Sequence, residues 1–196
     1  MSFRVENFLS PAQLALCHRH LALLKKWNES FNLTSITGSQ EMWIKHVLDS
    51  LAVVPYLPKS SSLRFLDVGT GGGFPGVPLA IARPDLTFVL LDSNSKKVKF
   101  LTQVKISLGL KNIFPVHERV EAFTVAEEDK FDGILSRAFS SLGNMVEQSQ
   151  HLLAKDGKFY ALKGLEEEPI PTGRVLEREL NLDIPGLNAT RRLLIF

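Results

Sequence analysis

The stretch Asp67-Val68-Gly69-Thr70-Gly71-Gly72-Gly73-Phe74-Pro75-Gly76 constrains this chain more than any other part of it. It leaves a short apolar run, Leu63 to Val68, and enters a helical pattern, Pro75 to Ala82. Strand, glycine-dense turn and helix in that order open a βαβ unit. A backbone that turns sharply and lets a nucleotide-sized ligand approach its N–H groups cannot carry Cβ atoms there, which is why glycine clusters at such turns.

The rest of the chain continues the theme. Apolar runs at Leu86 to Asp92, Ile113 to Val116, Phe131 to Ser136 and Lys158 to Leu162 read as four more strands. Helical patterns lie between them at Ser95 to Leu108, Val120 to Ala126 and Ser141 to Leu153, with Gly109 closing the first. Pro115 is tolerated mainly on a sheet edge, which makes the third strand the least clearly marked of the five. In the tail, Leu176, Leu180, Leu182 and Ile184 alternate with polar neighbours, and Pro185-Gly186 turns the chain before Arg191 to Phe196. No helix intervenes, so the tail reads as an antiparallel pair added to a parallel sheet.

Ahead of the sheet, Ser10-Pro11 is an N-cap and first-turn pair for a helix carrying Leu14, Leu21, Leu24 and Trp27 and ending near Asn28. A second helix is expected from Ser39 to just before Pro55, burying Ile44, Val47, Leu48 and Leu51. The Pro- and Ser-rich stretch at 55–62 then divides a helical extension, 1–60, from a Rossmann-like doubly wound domain, 61–196. A chain of 196 residues suits that plan and leaves little room for a second full domain.

The glycine cluster fits two patterns. Gly71, Gly73 and Gly76 satisfy G-x-G-x-x-G, the dinucleotide fingerprint, whereas Asp67, Gly69, Gly71 and Gly73 satisfy an acidic-x-G-x-G-x-G frame. Pro75 and Pro78 lack N–H groups, so the helix offers few donors to a pyrophosphate and a phosphate-free ligand fits better. Asp92 ends the second strand 21 residues past Gly71, where a carboxylate can accept both ribose hydroxyls. It could instead cap the following helix, a task open also to Ser93 or Ser95.

The glycine run, with Leu91-Asp92-Ser93, Lys96-Lys97-Val98, Ser136-Arg137-Ala138-Phe139 and Ala161-Leu162-Lys163-Gly164, resembles the bacterial RsmG (GidB) family. So do Trp27-Asn28, Asn32-Leu33-Thr34 and His46-Val47-Leu48-Asp49-Ser50-Leu51, which extends the likeness over nearly the whole chain. The resemblance implies a class I S-adenosylmethionine-dependent methyltransferase fold, methylation of guanine N7 in the 530 loop of 16S ribosomal RNA, and the small ribosomal subunit as partner. It also implies that Gly69 and Phe74 line the cofactor pocket, Val120 and Glu121 flank the adenine, and Arg137 lies where cofactor and substrate meet. The segment Gly164 to Arg174 is short beside the family's usual linker.

The residues agree with that chemistry. Methyl transfer from a sulfonium is an in-line displacement and asks mainly for alignment. An exocyclic amine acceptor calls for an acidic or amide residue followed by two prolines and an aromatic, but the fourth strand ends Ser136-Arg137-Ala138-Phe139. A ring-carbon acceptor calls for a cysteine nucleophile, and the single Cys17 sits far away in the first helix. Guanine N7 has no proton to lose and needs no base. Arg137 is then expected to hold the methionyl carboxylate or the guanine O6 edge, with Lys163 at the tip of the fifth strand as its cationic companion in the site.

A net charge of +2 excludes a general polycation, so RNA contact requires a local patch, for which Lys96, Lys97 and Lys163 are the candidates. Lys96 and Lys97 oppose the helix macrodipole, which suggests an external anion, though a charge run can also be a solvated face. His46 and Asp49 share a helix face and could position RNA or cover the cofactor, or serve only packing. One cysteine and scattered histidines supply no metal site. With no signal core and no apolar run long enough to span a bilayer, the expectation is a cytoplasmic, soluble monomer. A nicotinamide enzyme, a non-catalytic RNA-binding module and a small-molecule methyltransferase stay open on the residues alone.

Overall fold

The computed structural model describes residues 3–137, 139 and 141–196. Among the described residues, seven strands form one sheet in the order β3-β2-β1-β4-β5-β7-β6. Its members are β1 (Arg64–Val68), β2 (Thr87–Asp92), β3 (Ile113–His117), β4 (Phe131–Ser136), β5 (Leu153–Lys163), β6 (Arg178–Asn181) and β7 (Arg192–Ile195). The first five run parallel to one another, whereas β7 runs antiparallel to both β5 and β6. From β1 the chain winds outward through β2 to β3, then crosses back to β4 and β5. That reversal puts a topological switch point between β1 and β4, at whose carboxyl ends a doubly wound sheet binds its ligand.

The strands read as unbroken apolar runs because both faces are covered. Successive side chains point to opposite faces, so Phe65, Phe88 and Leu90 join one core while Leu66, Val68, Val89 and Leu91 join the other. On the first face lie α1 (Pro11–Phe31), α4 (Gly76–Ala82) and α5 (Ser95–Leu108). On the second lies α6 (Leu142–Ser149), through Leu142, Met145 and Val146. Leu24, Val47 and Leu51 from the 1–60 extension belong to the same cluster as Phe65 and Phe88, so extension and sheet share a continuous core.

Local chemistry starts and stops the helices. Ser10 and Gln13 form a reciprocal capping box on α1. The helix buries Cys17, His20 and Leu24, spaced three and four apart, and ends at Asn32 in a left-handed conformation, a turn later than Asn28. The second helix has three consecutive parts, α2 (Ser39–Met42), a π-helical segment Trp43–Leu48, and α3 (Asp49–Leu51). His46, Val47, Leu48, Asp49 and Ser50 are all buried, so this helix is enclosed, and Ile44 is less covered than its periodicity predicts.

Three other expectations need correction. Val120 to Ala126 is no helix: both Ala122 and Phe123 donate to the Arg119 carbonyl, and the turn goes no further. Val120, Phe123 and Val125 face the core, but a step of five cannot stay on one helical face, and a single turn does not propagate by itself. The helix expected to reach Leu153 ends at Ser149, because Leu153 already pairs with Phe131 and starts β5. That strand is accordingly longer than Lys158 to Leu162, with a register shift opposite Phe131 to Gly133. Pro115 sits on β3, the outermost strand.

Candidate active site

β1 delivers the glycine turn to the carboxyl edge, where the Gly69 and Thr70 amides donate to the Leu91 carbonyl at 2.9 and 3.2 Å. Gly69 has φ +68° and a Cβ there would meet no atom within 4 Å, so the space beside it is open. Gly76 is glycine for a different reason. A Cβ on it would stand 2.3 Å from Leu90 Cδ2 and 2.7 Å from Asp67 Oδ2. Of the acidic-x-G-x-G-x-G frame, Gly69 and Gly71 thus have open space beside them, whereas Gly73, where a Cβ would stand 2.6 Å from Val77 Cγ2, and Gly76 serve packing.

Asp67 decides between the two patterns. It is fully buried, and its Oδ2 accepts from Thr70 Oγ1 at 2.6 Å and from the Gly76 amide at 2.8 Å. The protein's own carboxylate therefore takes the N-terminus of α4 that a pyrophosphate would need. Asp67 Oδ1 has no partner among the described residues. Burial pushes this carboxyl up to about 6, against the pull of the Thr70 and Gly76 hydrogen bonds.

A cavity of about 460 Å³ opens over the carboxyl ends of β1 and β2, lined by Gly69, Asp92, Lys97, Val120, Glu121 and Phe139 among others. Asp92 Oδ2 accepts from the Gly71 amide at 2.9 Å and from Lys97 Nζ at 3.4 Å, while Oδ1 accepts from the Asn94 amide at 2.9 Å. The cap of α5 is Asn94, whose side chain accepts from the Lys96 amide, so Asp92 is not needed for that task.

The cavity brings together Gly69, Asp92, Val120 and Glu121, with Gly71 tied to it through Asp92. Phe74, Arg137 and Lys163 do not line it. The Phe74 ring is buried against His46 (centroids 4.4 Å apart, 15°) and His20 (4.8 Å, 25°). Arg137 reaches into the helical extension instead: Nη1 donates to the Lys45 carbonyl at 2.8 Å and to Asp49 Oδ2 at 3.3 Å, and Nη2 donates to His46 Nδ1 at 3.3 Å. Its Cζ stands 5.5 Å from the Phe74 centroid. Lys163 pairs with Glu168 at 2.7 Å and donates to the carbonyl of Phe139, a lining residue. Lys96 is exposed in the first turn of α5, and Lys97 is engaged by Asp92.

Two histidines support this wall: His46, for which the sequence left open a role toward RNA, the cofactor or packing, and His20, which it did not single out. A guanidinium can only donate, so His46 accepts at Nδ1 and carries its proton on Nε2, which faces Thr34 Oγ1 at 3.1 Å. Burial, and then the Arg137 charge, push His46 down to about 4. His20 donates from Nε2 to the Gly72 carbonyl at 2.9 Å, and burial pushes it down to about 4 as well. The three-residue spacing of His46 and Asp49 hinted at a shared face. Nothing in the sequence linked Asp49 to Arg191, whose Nε donates to Asp49 Oδ1 at 2.7 Å across 142 positions.

Residues 13–170 match the model of the GidB family, described as rRNA small subunit methyltransferase G. The chain belongs to this family. It is 51% identical over 181 residues to the ribosomal RNA small subunit methyltransferase G of Yersinia pestis (strain Pestoides F), an alignment covering 90% of this chain and 85% of that relative. The GidB fold extends to remoter structures. A SAM-dependent methyltransferase from Aquifex aeolicus superposes with a TM-score of 0.59 at 16% identity, over 81% of this chain and 93% of the other. One from Thiobacillus denitrificans, in complex with S-adenosyl-L-homocysteine, gives 0.50 at 16% identity, over 64% and 50%. The class I methyltransferase fold expected for a GidB chain is the fold observed, including its antiparallel C-terminal strands.

Proposed function

We propose that this chain methylates guanine N7 in the 530 loop of 16S ribosomal RNA, taking the methyl group from S-adenosylmethionine, and that it acts as a cytoplasmic monomer on the small ribosomal subunit. The observation that carries the reading is the pairing of an open cavity at the tips of β1 and β2 with a helix N-terminus already filled by Asp67. Such a site suits a nucleoside with an amino-acid tail and is poor for a diphosphate. The donor set fits that cofactor: a carboxylate at the tip of β2 and a glycine backbone facing open space.

In this reading Asp92 accepts the ribose hydroxyls, Val120 and Glu121 flank the adenine, and Gly69 and Gly71 let the main chain approach the rest of the cofactor. Phe74 supports the turn from behind. When bound, S-adenosylmethionine supplies a sulfonium-activated methyl group. Because guanine N7 presents an unshared pair and no proton, the protein's task is to align it with the methyl, and no residue has to act as base. Arg137 and Lys163 lie on the substrate side of the cavity and meet oxygen atoms of the RNA, since a cation beside the newly charged base would oppose the reaction. Lys96 adds to the RNA contact, and Lys97 stays with Asp92 at the cofactor.

The test is to map N7-methylguanine in 16S ribosomal RNA from cells with and without the protein, then treat undermodified small subunits with purified protein and labelled S-adenosylmethionine. The expected result is loss of the 530-loop mark and its return in vitro. An unchanged mark in cells lacking the protein would sink the reading.

A further inference from the structure

Asp49 is a fully buried carboxylate that follows the π-helical segment directly, and local π-helix is frequently found at functional sites. It binds two arginines far apart in sequence: Oδ1 accepts from Arg191 Nε at 2.7 Å and Oδ2 from Arg137 Nη1 at 3.3 Å. Arg137 leaves the carboxyl end of β4, and Arg191 precedes β7, whose Arg192 pairs with Lys163 at the carboxyl end of β5. Both guanidiniums therefore lie on the ligand-binding edge of the sheet, on the flank away from β2, and neither lines the cofactor cavity.

One carboxylate cannot neutralise two guanidiniums, and it engages only part of each one's fork of five donors. Here each oxygen takes one contact from a different arginine, so the trio carries a net positive charge and keeps donors in reserve. The Nη groups of Arg191 have no protein partner among the described residues, and the side chain is 23% exposed. The Nε–H of Arg137 is likewise unspent among the described residues.

We propose that Asp49 is a positioning residue that holds Arg137 and Arg191 as a paired seat for a phosphate of the target RNA. The inference rests on the methyltransferase reading above. Fixed guanidinium forks match phosphate oxygens in geometry and charge, and phosphate contacts set the register of a nucleic acid on its protein. The seat holds the backbone beside the target base while the cavity beyond β1 and β2 holds the cofactor.

Equilibrium binding of the full chain to undermodified small subunits, followed across a salt series and alongside S-adenosylhomocysteine affinity, tests this. Arg191→Gln is expected to weaken subunit binding about tenfold and to make the log–log salt slope shallower by about one, while Arg191→Lys keeps the slope. Asp49→Asn discriminates further. It makes the cluster more positive, so charge alone would tighten RNA binding, whereas loss of the fixed geometry weakens it. Affinity for S-adenosylhomocysteine should change less than about twofold in every variant. The proposal is overturned if Arg191→Gln leaves subunit affinity and slope unchanged, if Asp49→Asn tightens binding, or if the variants lose cofactor affinity instead. Should the wild-type chain neither bind nor methylate the subunits, the methyltransferase reading fails first and takes this inference with it.

Discussion

The Asp67 carboxylate accepts the Gly76 amide at 2.8 Å, so the opening of α4 is capped from inside the protein by the same strand that leads into the glycine turn. A dinucleotide has nowhere to place its pyrophosphate, while a cofactor bound across the tips of β1 and β2 is not obstructed. S-adenosylhomocysteine at a hundred times its dissociation constant should stabilise the fold by about 2.7 kcal/mol, and NAD at the same concentration should not. Melting curves with each ligand check this, and a shift with NAD alone would reverse the assignment.

Asp92 is held by the Gly71 and Asn94 amides, which aim its carboxylate along the cavity wall before any ligand arrives. Asp92→Ala should cost about 2 kcal/mol of S-adenosylhomocysteine affinity, roughly thirtyfold, because it removes a charged acceptor from ribose hydroxyls. Titration calorimetry measures it, and an affinity within twofold of wild type would remove Asp92 from the cofactor.

Gly69→Ala and Gly76→Ala should fail in different ways. At Gly69 a side chain has room but sits at φ +68°, so the variant should fold with a loss of about 1–2 kcal/mol and a larger loss of cofactor binding. At Gly76 the new methyl would overlap Leu90 Cδ2 at 2.3 Å, a core clash costing about 1–3 kcal/mol or more. Urea unfolding with and without S-adenosylhomocysteine separates them: the ligand should rescue Gly76→Ala far better than Gly69→Ala.

Acid should destabilise this fold by way of two histidines. His20 and His46 each fall from 6.5 to about 4 on folding, so their contribution is complete above pH 6.5 and is lost as the pH falls toward 4. Asp67 opposes them. Raised from 3.8 to about 6, it contributes most at low pH and loses that contribution as the pH rises through 6. Between those limits the unfolded chain binds about one proton more than the folded one, so stability should fall by about 1.4 kcal/mol per pH unit on acidification. His20→Gln, which keeps a donor for the Gly72 carbonyl, should flatten the dependence. Equal urea midpoints for the wild type at pH 6.5 and pH 5 would contradict it.

The doubly wound sheet, its antiparallel tail, the glycine turn and the acid at the tip of β2 were all legible in the amino-acid order, because each depends on local pattern. Apolar runs bounded by turns make strands, and a ligand that needs bare backbone leaves glycines at fixed spacing. The loop after β3 looks helical in sequence because Val120 and Phe123 are three apart, and only packing against the finished sheet shows that Val125 turns inward as well. Two uses of glycine, open space at Gly69 and close packing at Gly76, are indistinguishable in sequence and separate once Leu90 and Asp67 are in place. Of the wall built from His20, Phe74, His46, Asp49, Arg137 and Arg191, the sequence marked Phe74, Arg137 and the His46–Asp49 face one by one, but their assembly belonged to tertiary structure. Its members come from both termini and the middle of the chain, and long-range electrostatic pairing leaves no periodic trace along a sequence.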